Sequence, residues 1–528
     1  MSEDIVVAEA PNTPLHPATV HVRMYRALER DPNQTRKYKG LLGDCFLIRL
    51  EQGSEQSTIL IDCGMLLGSP NAAERMAAIA SDIVLVAGGD LATGRPGTLD
   101  LLVVTHEHWD HISGFSQASH IFFDPAKLEI ANLWMAWTED PDDEDAQALR
   151  ARFQESGAAF AAIAERLESD SQRFGTDAAE RILHGLHGFS GLGAARLPDG
   201  KPARKLAGRE IMDRLKAASI QKPNYLKPGD VLATSGAVSV RTFVLGPPRN
   251  TTKLFKDKPS TGKGQETYFS DPTVDGHQLL KFAAGEDPDP SRDSPFAPPF
   301  CRILAADITS PPVGGDPPEG DAREWLRAAY YGEPGETPAM QAARARRRID
   351  SDWLGAAGAL ALKLDSDTNN TSLVLAFELP DDTVMLFAAD AQVGNWLSWH
   401  DQDYPVDAER KVTADDLLSR TRFYKVGHHG SHNATMDAKG LALMTHPDLV
   451  AAIPTDEELG KAQGRSGWLM PNPRVKAALR ERTKGRILRN DRWYSEAARR
   501  ADPELRDVEQ GFFDKINESE LYVEYRLL

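Results

Sequence analysis

The densest chemistry in the sequence lies in Thr105-His106-Glu107-His108-Trp109-Asp110-His111-Ile112-Ser113-Gly114. Three imidazoles and the Asp110 carboxylate so close together are costly to bury unless a cation accepts their lone pairs. His106 and His108 are two apart, so in extended backbone both project to one side. Asp110 and His111 follow a turn and address a second point nearby. Imidazole and carboxylate without thiolate suit Zn, Mn or Fe in an open, water-bearing site. Two later segments offer the same residue types. Asp390 follows the apolar run Met385-Leu386-Phe387-Ala388-Ala389, and His428-His429 follows Phe423-Tyr424-Lys425-Val426-Gly427 and precedes Gly430-Ser431. Taken alone, Asp390 is as often a turn residue as a ligand, whereas a strand ending in His-His-Gly has little structural motive.

Elements must carry these groups to one place. Leu99-Asp100-Leu101-Leu102-Val103-Val104 immediately precedes the first cluster, and its nearly continuous apolar character is that of a strand buried on both faces. Ahead of it, alternation over 19–24, a Gly43-Asp44 turn, and runs over 45–50 and 58–64 predict paired strands, the last ending in Asp62-Cys63-Gly64. Helical spacing follows over 72–83. From 140 to 226 the composition turns Ala/Glu/Arg/Leu-rich with a helical period, predicting two or three helices. A strand over 238–245 stops at Gly246-Pro247-Pro248. Recurrent Pro, Gly and Asp over 285–367 predict a long, partly disordered insertion with a short helix around Trp325 and a basic end at Arg344, Arg346, Arg347 and Arg348. Strands return over 372–379, 383–388 and 423–426, and a helix over 473–483 and a strand over 521–527 close the chain. The mixture predicts an α/β sandwich with insertions.

His106-x-His108-x-Asp110-His111, after a strand ending in Asp62-x-Gly64, resembles the metallo-β-lactamase fold superfamily. Asn369-Asn370-Thr371-Ser372-Leu373-Val374-Leu375, the run ending at Asp390, and Lys425-Val426-Gly427-His428-His429-Gly430-Ser431 make it most similar to the soluble metallo-β-lactamase domain of the competence protein ComEC, whose relatives are associated with DNA degradation. The resemblance implies an αββα sandwich forming a single hydrolase domain over 15–528. Within it, 140–226 would be a helical insertion, 285–367 a second insertion, and 440–528 the closing part. It implies two divalent metal ions, with zinc the first expectation and manganese or iron the others. His106 and His108 would hold the first, Asp110 and His111 the second, Asp390 would bridge them, and His429 or His428 would complete the second site. Asp62 would orient the early histidines. Such a pair lowers the pKa of water toward about 7, and the hydroxide attacks phosphorus or carbonyl. Asp110, His108 and Asp390 are the catalytic candidates; Ser431, Lys425 and Asn370 are candidates for contact with a substrate phosphate. One departure stands out: the superfamily usually supplies a further histidine between the early cluster and the bridging aspartate, where this chain has Gly246-Pro247-Pro248.

Composition narrows the function classes. The 528 residues allow two to four domains or one large fold with insertions. Mean hydropathy is -0.42, no apolar run approaches a membrane span, and the start Met1-Ser2-Glu3-Asp4 has no secretory h-region, so a cytoplasmic protein without membrane contact is expected. Cys45, Cys63 and Cys301 are too few for a disulfide framework. The net charge of -17 argues against polyanion binding, but 474–500 holds ten Lys/Arg against three Asp/Glu and could guide a nucleic acid. Such runs are more often solvated helix faces. The leading expectation is a phosphodiesterase cleaving DNA or RNA. A hydrolase of a small ester, thioester, lactone or cyclic nucleotide is the alternative, and a regulatory protein with a vestigial metal site the second alternative. A regulatory protease cutting near Arg348 to uncover the cleft is a weaker expectation.

Overall fold

A computed structural model describes residues 15–30, 38–39, 41–67, 69–153, 207–256, 322–332, 335–345, 366–406, 411–462 and 468–528. The predicted helices over 154–206, and the insertion outside 322–332, 335–345 and 366–367, lie beyond the described residues. The chain divides into two compact units, one comprising 1–152, 184–273 and 364–528, the other 153–183 and 274–363.

Strong alternation builds the first unit. Strands β1 (Thr19–Tyr25), β2 (Phe46–Gln52), β3 (Glu55–Ile61), β4 (Leu101–Val104), β5 (Leu133–Ala136) and β6 (Asn224–Leu226) belong to one eight-stranded sheet. Strands β7 (Val231–Ala233), β8 (Arg241–Gly246), β9 (Val374–Glu378), β10 (Val384–Phe387), β11 (Thr421–Lys425), β12 (Val450–Ile453) and β13 (Ile487–Arg489) form a seven-stranded sheet in that order. Strands β14 (Ile516–Glu518) and β15 (Tyr522–Arg526) return to the first sheet, whose order is β6-β5-β4-β3-β2-β1-β15-β14. Successive residues of a strand face opposite sides. Leu101 and Val103 accordingly join a core shared with Leu375, Phe377, Met385, Phe387 and Phe423 of the other sheet. Leu102 and Val104 instead meet helices α1 (Ala72–Val86) and α2 (Trp109–Gln117) and Leu215 of α3 (Ala207–Ala218). On the second sheet Val384, Leu386 and Tyr424 turn outward to Trp396, Leu418 and Leu479. Two sheets back to back, each covered by helices, make the α/β sandwich that the sequence predicts.

Several boundaries move. The strand expected over 58–64 ends at Ile61, because Asp62 turns into the left-handed region at φ 56°. The run over 99–104 is interrupted at Asp100, whose carboxylate accepts from the Thr58 backbone at 2.8 Å. The segment 140–226 is not wholly an excursion: α3 packs on α2 and β6 pairs in parallel with β5. Strands β5, β12 and β13 are too short and plain in pattern to announce themselves, and β13 lies inside the basic stretch.

Of the second unit, helices α4 (Ala322–Tyr330) and α5 (Pro338–Ala345) are described, the first holding the expected Trp325. Arg344 pairs with Glu336 at 2.9 Å and donates to the Tyr331 carbonyl. Arg346, Arg347 and Arg348 lie outside the described residues.

Candidate metal centre

Parallel neighbours finish on the same side, and the site is built from four such endings. β3 runs parallel to β4 and releases Asp62; β4 releases Thr105 to His108 and then helix α2. In the other sheet β10 runs parallel to β11, the first releasing Asp390 and the second His428 and His429. The turns are tight: Asp62, Ala389, His428 and His429 all have positive φ, at 56°, 46°, 43° and 53°. Left-handed non-glycine residues cost of order 1–3 kcal/mol each and cluster where surrounding structure fixes them for function.

Of the metal-ligand candidates named from the sequence, His106, Asp110, His111, Asp390 and His429 have ligand atoms grouped closely, and His108 and His428 lie near Asp110 and Asp390 without joining a group. His106, His108, Asp110, His111, Asp390, His428 and His429 are all buried. Among the described residues three groups have ligand atoms within 4.8 Å of one another: His106, His111 and Asp390; Asp110, Asp390 and His429; and Asp44, Asp62 and His111. His111 Nε2 is 3.2 Å from Asp390 Oδ2, and its Nδ1 is 2.8 Å from Asp62 Oδ2. Asp62 also accepts from the Thr105 backbone at 2.8 Å and from Thr105 Oγ1 at 2.7 Å. Its orienting contact is therefore with His111, while His106 Nδ1 meets Thr105 Oγ1 at 3.0 Å. His429 Nδ1 is 2.6 Å from the Pro454 carbonyl, which turns Nε2 to within 2.8 Å of Asp110 Oδ2.

Charge divides the cluster in two. Burial, followed by the neighbouring His111 and His108, holds His106 well below the ordinary imidazole pKa. Burial lowers His108 and His428 to about 4 each. These rings are neutral near pH 7 and keep a lone pair for a ligand. Burial disfavours the His111 cation too, but Asp390, Asp44, Asp110 and Asp62 more than offset it and raise its pKa well above the usual value. Asp390 is held well below the carboxylate range, burial opposing and His111, Lys425 and His428 prevailing.

These residues fit divalent cations on a structural criterion. His106 Nε2 and Asp110 Oδ1 are buried without a hydrogen-bond partner, a state that buried polar atoms rarely keep. The donors are imidazole and carboxylate; Cys63 Sγ lies 4.0 Å from Met76 Sδ in the outer core.

The remaining candidates divide. Asn370, expected at a substrate phosphate, is fully buried and spends its side chain on the scaffold, donating to the Lys256 carbonyl at 2.9 Å and accepting from the Gln392 backbone at 3.0 Å. Lys425 is also internal: it bonds Asp44 and lies 3.4 Å from Asp390 Oδ1. Ser431 Oγ reaches Asn433 Oδ1 at 3.1 Å. Asp44, read from the sequence only as part of a turn, belongs to the cluster; its place one residue before an apolar strand was the available signal. Asn369, buried beside His108, was likewise not singled out. Where the further histidine was sought, Gly246 packs on Asn395 and the Pro247 carbonyl accepts from Trp137 Nε1 at 2.9 Å. Among the described histidines between the two motifs, His400 binds Asp415 and the Lys439 carbonyl at 2.8 Å each, and His120 is exposed.

Much of the basic stretch over 474–500 is internally paired. Arg486 meets Glu509 at 2.8 Å, Arg489 meets Asp491 at 2.7 Å, Arg492 meets Glu504 at 2.7 Å and Lys476 meets Glu504 at 3.0 Å. Among the described residues no helix is long and apolar enough to cross a membrane.

The family model described as the metallo-beta-lactamase superfamily matches residues 38–193. No curated protein gives a match to the chain. The matched segment contains Asp44, Asp62 and the 106–111 cluster, and the fold adds Asp390, His428 and His429 from beyond it.

Proposed function

We propose that this metallo-β-lactamase-fold chain is a metal-dependent phosphodiesterase that holds two divalent cations between the ends of its two sheets. The observation that carries the reading is the convergence of imidazoles and carboxylates from both sheets around the partnerless His106 Nε2 and Asp110 Oδ1. Asp390 shares one group with His106 and His111 and another with Asp110 and His429, so it would be the ligand common to both cations. His111, expected beside Asp110 at the second cation, would thus serve the first with His106; His108 and His428 lie near Asp110 and Asp390. When bound, such cations polarise a phosphoryl or carbonyl oxygen and lower the pKa of water toward about 7.

The chain's own residues supply orientation and proton handling. Asp62 fixes the His111 ring through Nδ1, and the Pro454 carbonyl fixes His429, so both present Nε2 to the centre. In the metal-free chain His429 Nε2 meets Asp110 Oδ2 at 2.8 Å, while Asp110 Oδ1 has no partner and would be the oxygen to meet a cation or its water. His428, neutral with a pKa near about 4, keeps a lone pair beside Asp390 and Asp110. Ser431, at the end of the late motif, is the candidate kept for substrate contact, its hydroxyl donating to Asn433 Oδ1 at 3.1 Å. Lys425 and Asn370 serve the scaffold, so phosphate contact falls to other groups.

Cleavage of a nucleic-acid strand is the first substrate expectation, resting on the ComEC-like combination of motifs. The pairing of Arg486, Arg489, Arg492 and Lys476 with carboxylates favours a second reading, a small diester or other ester, because neutralised cations gain little from a polyanion. The test is hydrolysis of plasmid, single-stranded DNA, RNA and a bis-aryl phosphate with added Mn or Zn, by wild type and by the double variant His108→Ala, Asp110→Ala. Polymer cleavage lost in the variant supports the nuclease reading; turnover of the aryl diester alone moves the assignment to a small substrate. Activity equal in wild type and variant would overturn the site.

A further inference from the structure

Four buried carboxylates, Asp44, Asp62, Asp110 and Asp390, meet at the centre, and Lys425 is buried among them at 1 % exposure. Its ammonium bonds Asp44, lies 3.4 Å from Asp390 Oδ1, and donates to the Ala389 carbonyl at 3.0 Å. Ala389 is the left-handed residue, φ 46°, that swings the chain from β10 into Asp390. One side chain thus grips a carboxylate of the Gly43-Asp44 turn, a carboxylate of the other sheet, and the strained turn presenting it. Burying an ammonium is expensive unless it is paired, and so is burying the carboxylates it faces. Lys425 spends its ammonium on these internal acceptors, so its charge acts on the protein.

We propose that Lys425 is a built-in counter-cation of the metal centre: it neutralises Asp44 and Asp390 in the metal-free chain, so that the site is folded before it is loaded. The proposal rests on the two-cation reading above. Lys425 is a positioning residue, touching neither substrate nor reacting atoms. Its fixed positive charge has a second effect, because it repels the cations that Asp390 receives. The centre therefore gives up some metal affinity and gains a preformed arrangement.

The test compares wild type with Lys425→Met, Asp44→Asn and the double variant, reading Tm in chelator and in zinc, and zinc affinity by competition. Lys425→Met is expected to lower Tm much more in chelator than in zinc, and by linkage to tighten zinc binding about tenfold. Adding Asp44→Asn is expected to restore Tm in chelator, since the uncompensated carboxylate is gone. An equal fall of Tm in both conditions, or weaker zinc binding, would overturn the counter-cation role and leave the metal reading standing. If Lys425→Met does not fold in chelator, the double variant decides: folding supports the proposal and failure to fold overturns it. A wild type that binds no divalent cation removes the metal reading and this proposal together. No arm depends on hydrolysis.

Discussion

At the scale of single residues, the site works by assigning each ring nitrogen one task. His111 is the clearest case, with Asp62 at 2.8 Å on Nδ1 and Asp390 at 3.2 Å from Nε2. A carboxylate behind a ligating imidazole fixes its orientation and raises its basicity. Asp62→Asn isolates that effect, because asparagine tolerates the left-handed backbone that Asp62 adopts at φ 56° and keeps an oxygen for the Thr105 amide. The variant is expected to fold, with metal affinity and turnover each reduced by about 10–100-fold. Unchanged cobalt or zinc affinity in a competition titration would show that Asp62 does not orient His111. The early cluster was legible in the sequence because His-x-His-x-Asp-His is dense and follows an apolar strand. Asp44 was not, because a lone carboxylate in a Gly-Asp turn carries no local sign that a lysine 381 positions later in sequence will meet it. Lys425 was misread for the same reason: a basic residue near a motif suggests phosphate, and only the fold reveals that its partners are internal.

At the scale of elements, the centre depends on three chain segments stitched through their backbones. The Asp44 amide donates to the Asp110 carbonyl at 2.9 Å, Cys63 to His111 at 2.7 Å, and Gly64 to Asp44 at 2.9 Å. Gly64 occupies the tightest point. A Cβ there would lie 2.2 Å from the Asp110 carbonyl carbon and 2.4 Å from the His111 nitrogen, so helix α2 would have to move with two ligands in its first turn. Gly64→Ala is expected to destabilise the chain by about 1–3 kcal/mol, the usual range for overpacking, and to abolish metal binding. A normal Tm with full metal content would show that the segments have more freedom than this packing implies. Strands with alternation, such as β1, β2 and β3, were legible to within a few residues. The misses have a common cause: β12 and β13 are short strands whose pairing is long-range, and the edge strand β6 follows a segment whose helical composition dominates its surroundings. Local pattern cannot show a parallel partner that lies dozens of residues away.

At the scale of the whole molecule, the first sheet brings Asp110 and the second brings His429, which meet at 2.8 Å across 319 residues of sequence. Cations held at this junction bind the folded chain and not the unfolded one, so a thousandfold excess over Kd is expected to stabilise by about 4 kcal/mol. That stabilisation has a pH dependence whose sign follows from the histidines. In the metal-free chain His111 is raised well above the ordinary imidazole value and His429 is raised as well, burial opposing in both and their carboxylate neighbours prevailing. A folded pKa above the unfolded one contributes stability that is complete below about 6.5 and is lost as pH rises through the folded value. Above about pH 7, where His106, His108 and His428 are neutral in the folded and unfolded chain alike, raising the pH therefore weakens the metal-free chain. Over the same window cations displace the protons and bind up to about tenfold more tightly per pH unit for each proton released. The gap in Tm between zinc-loaded and chelated protein is accordingly expected to widen from about pH 7 to about pH 8, as the protons that stabilise the chelated chain are lost. A gap that stays constant across that range would mean that no proton leaves on binding, and that His111 and His429 are not ligands.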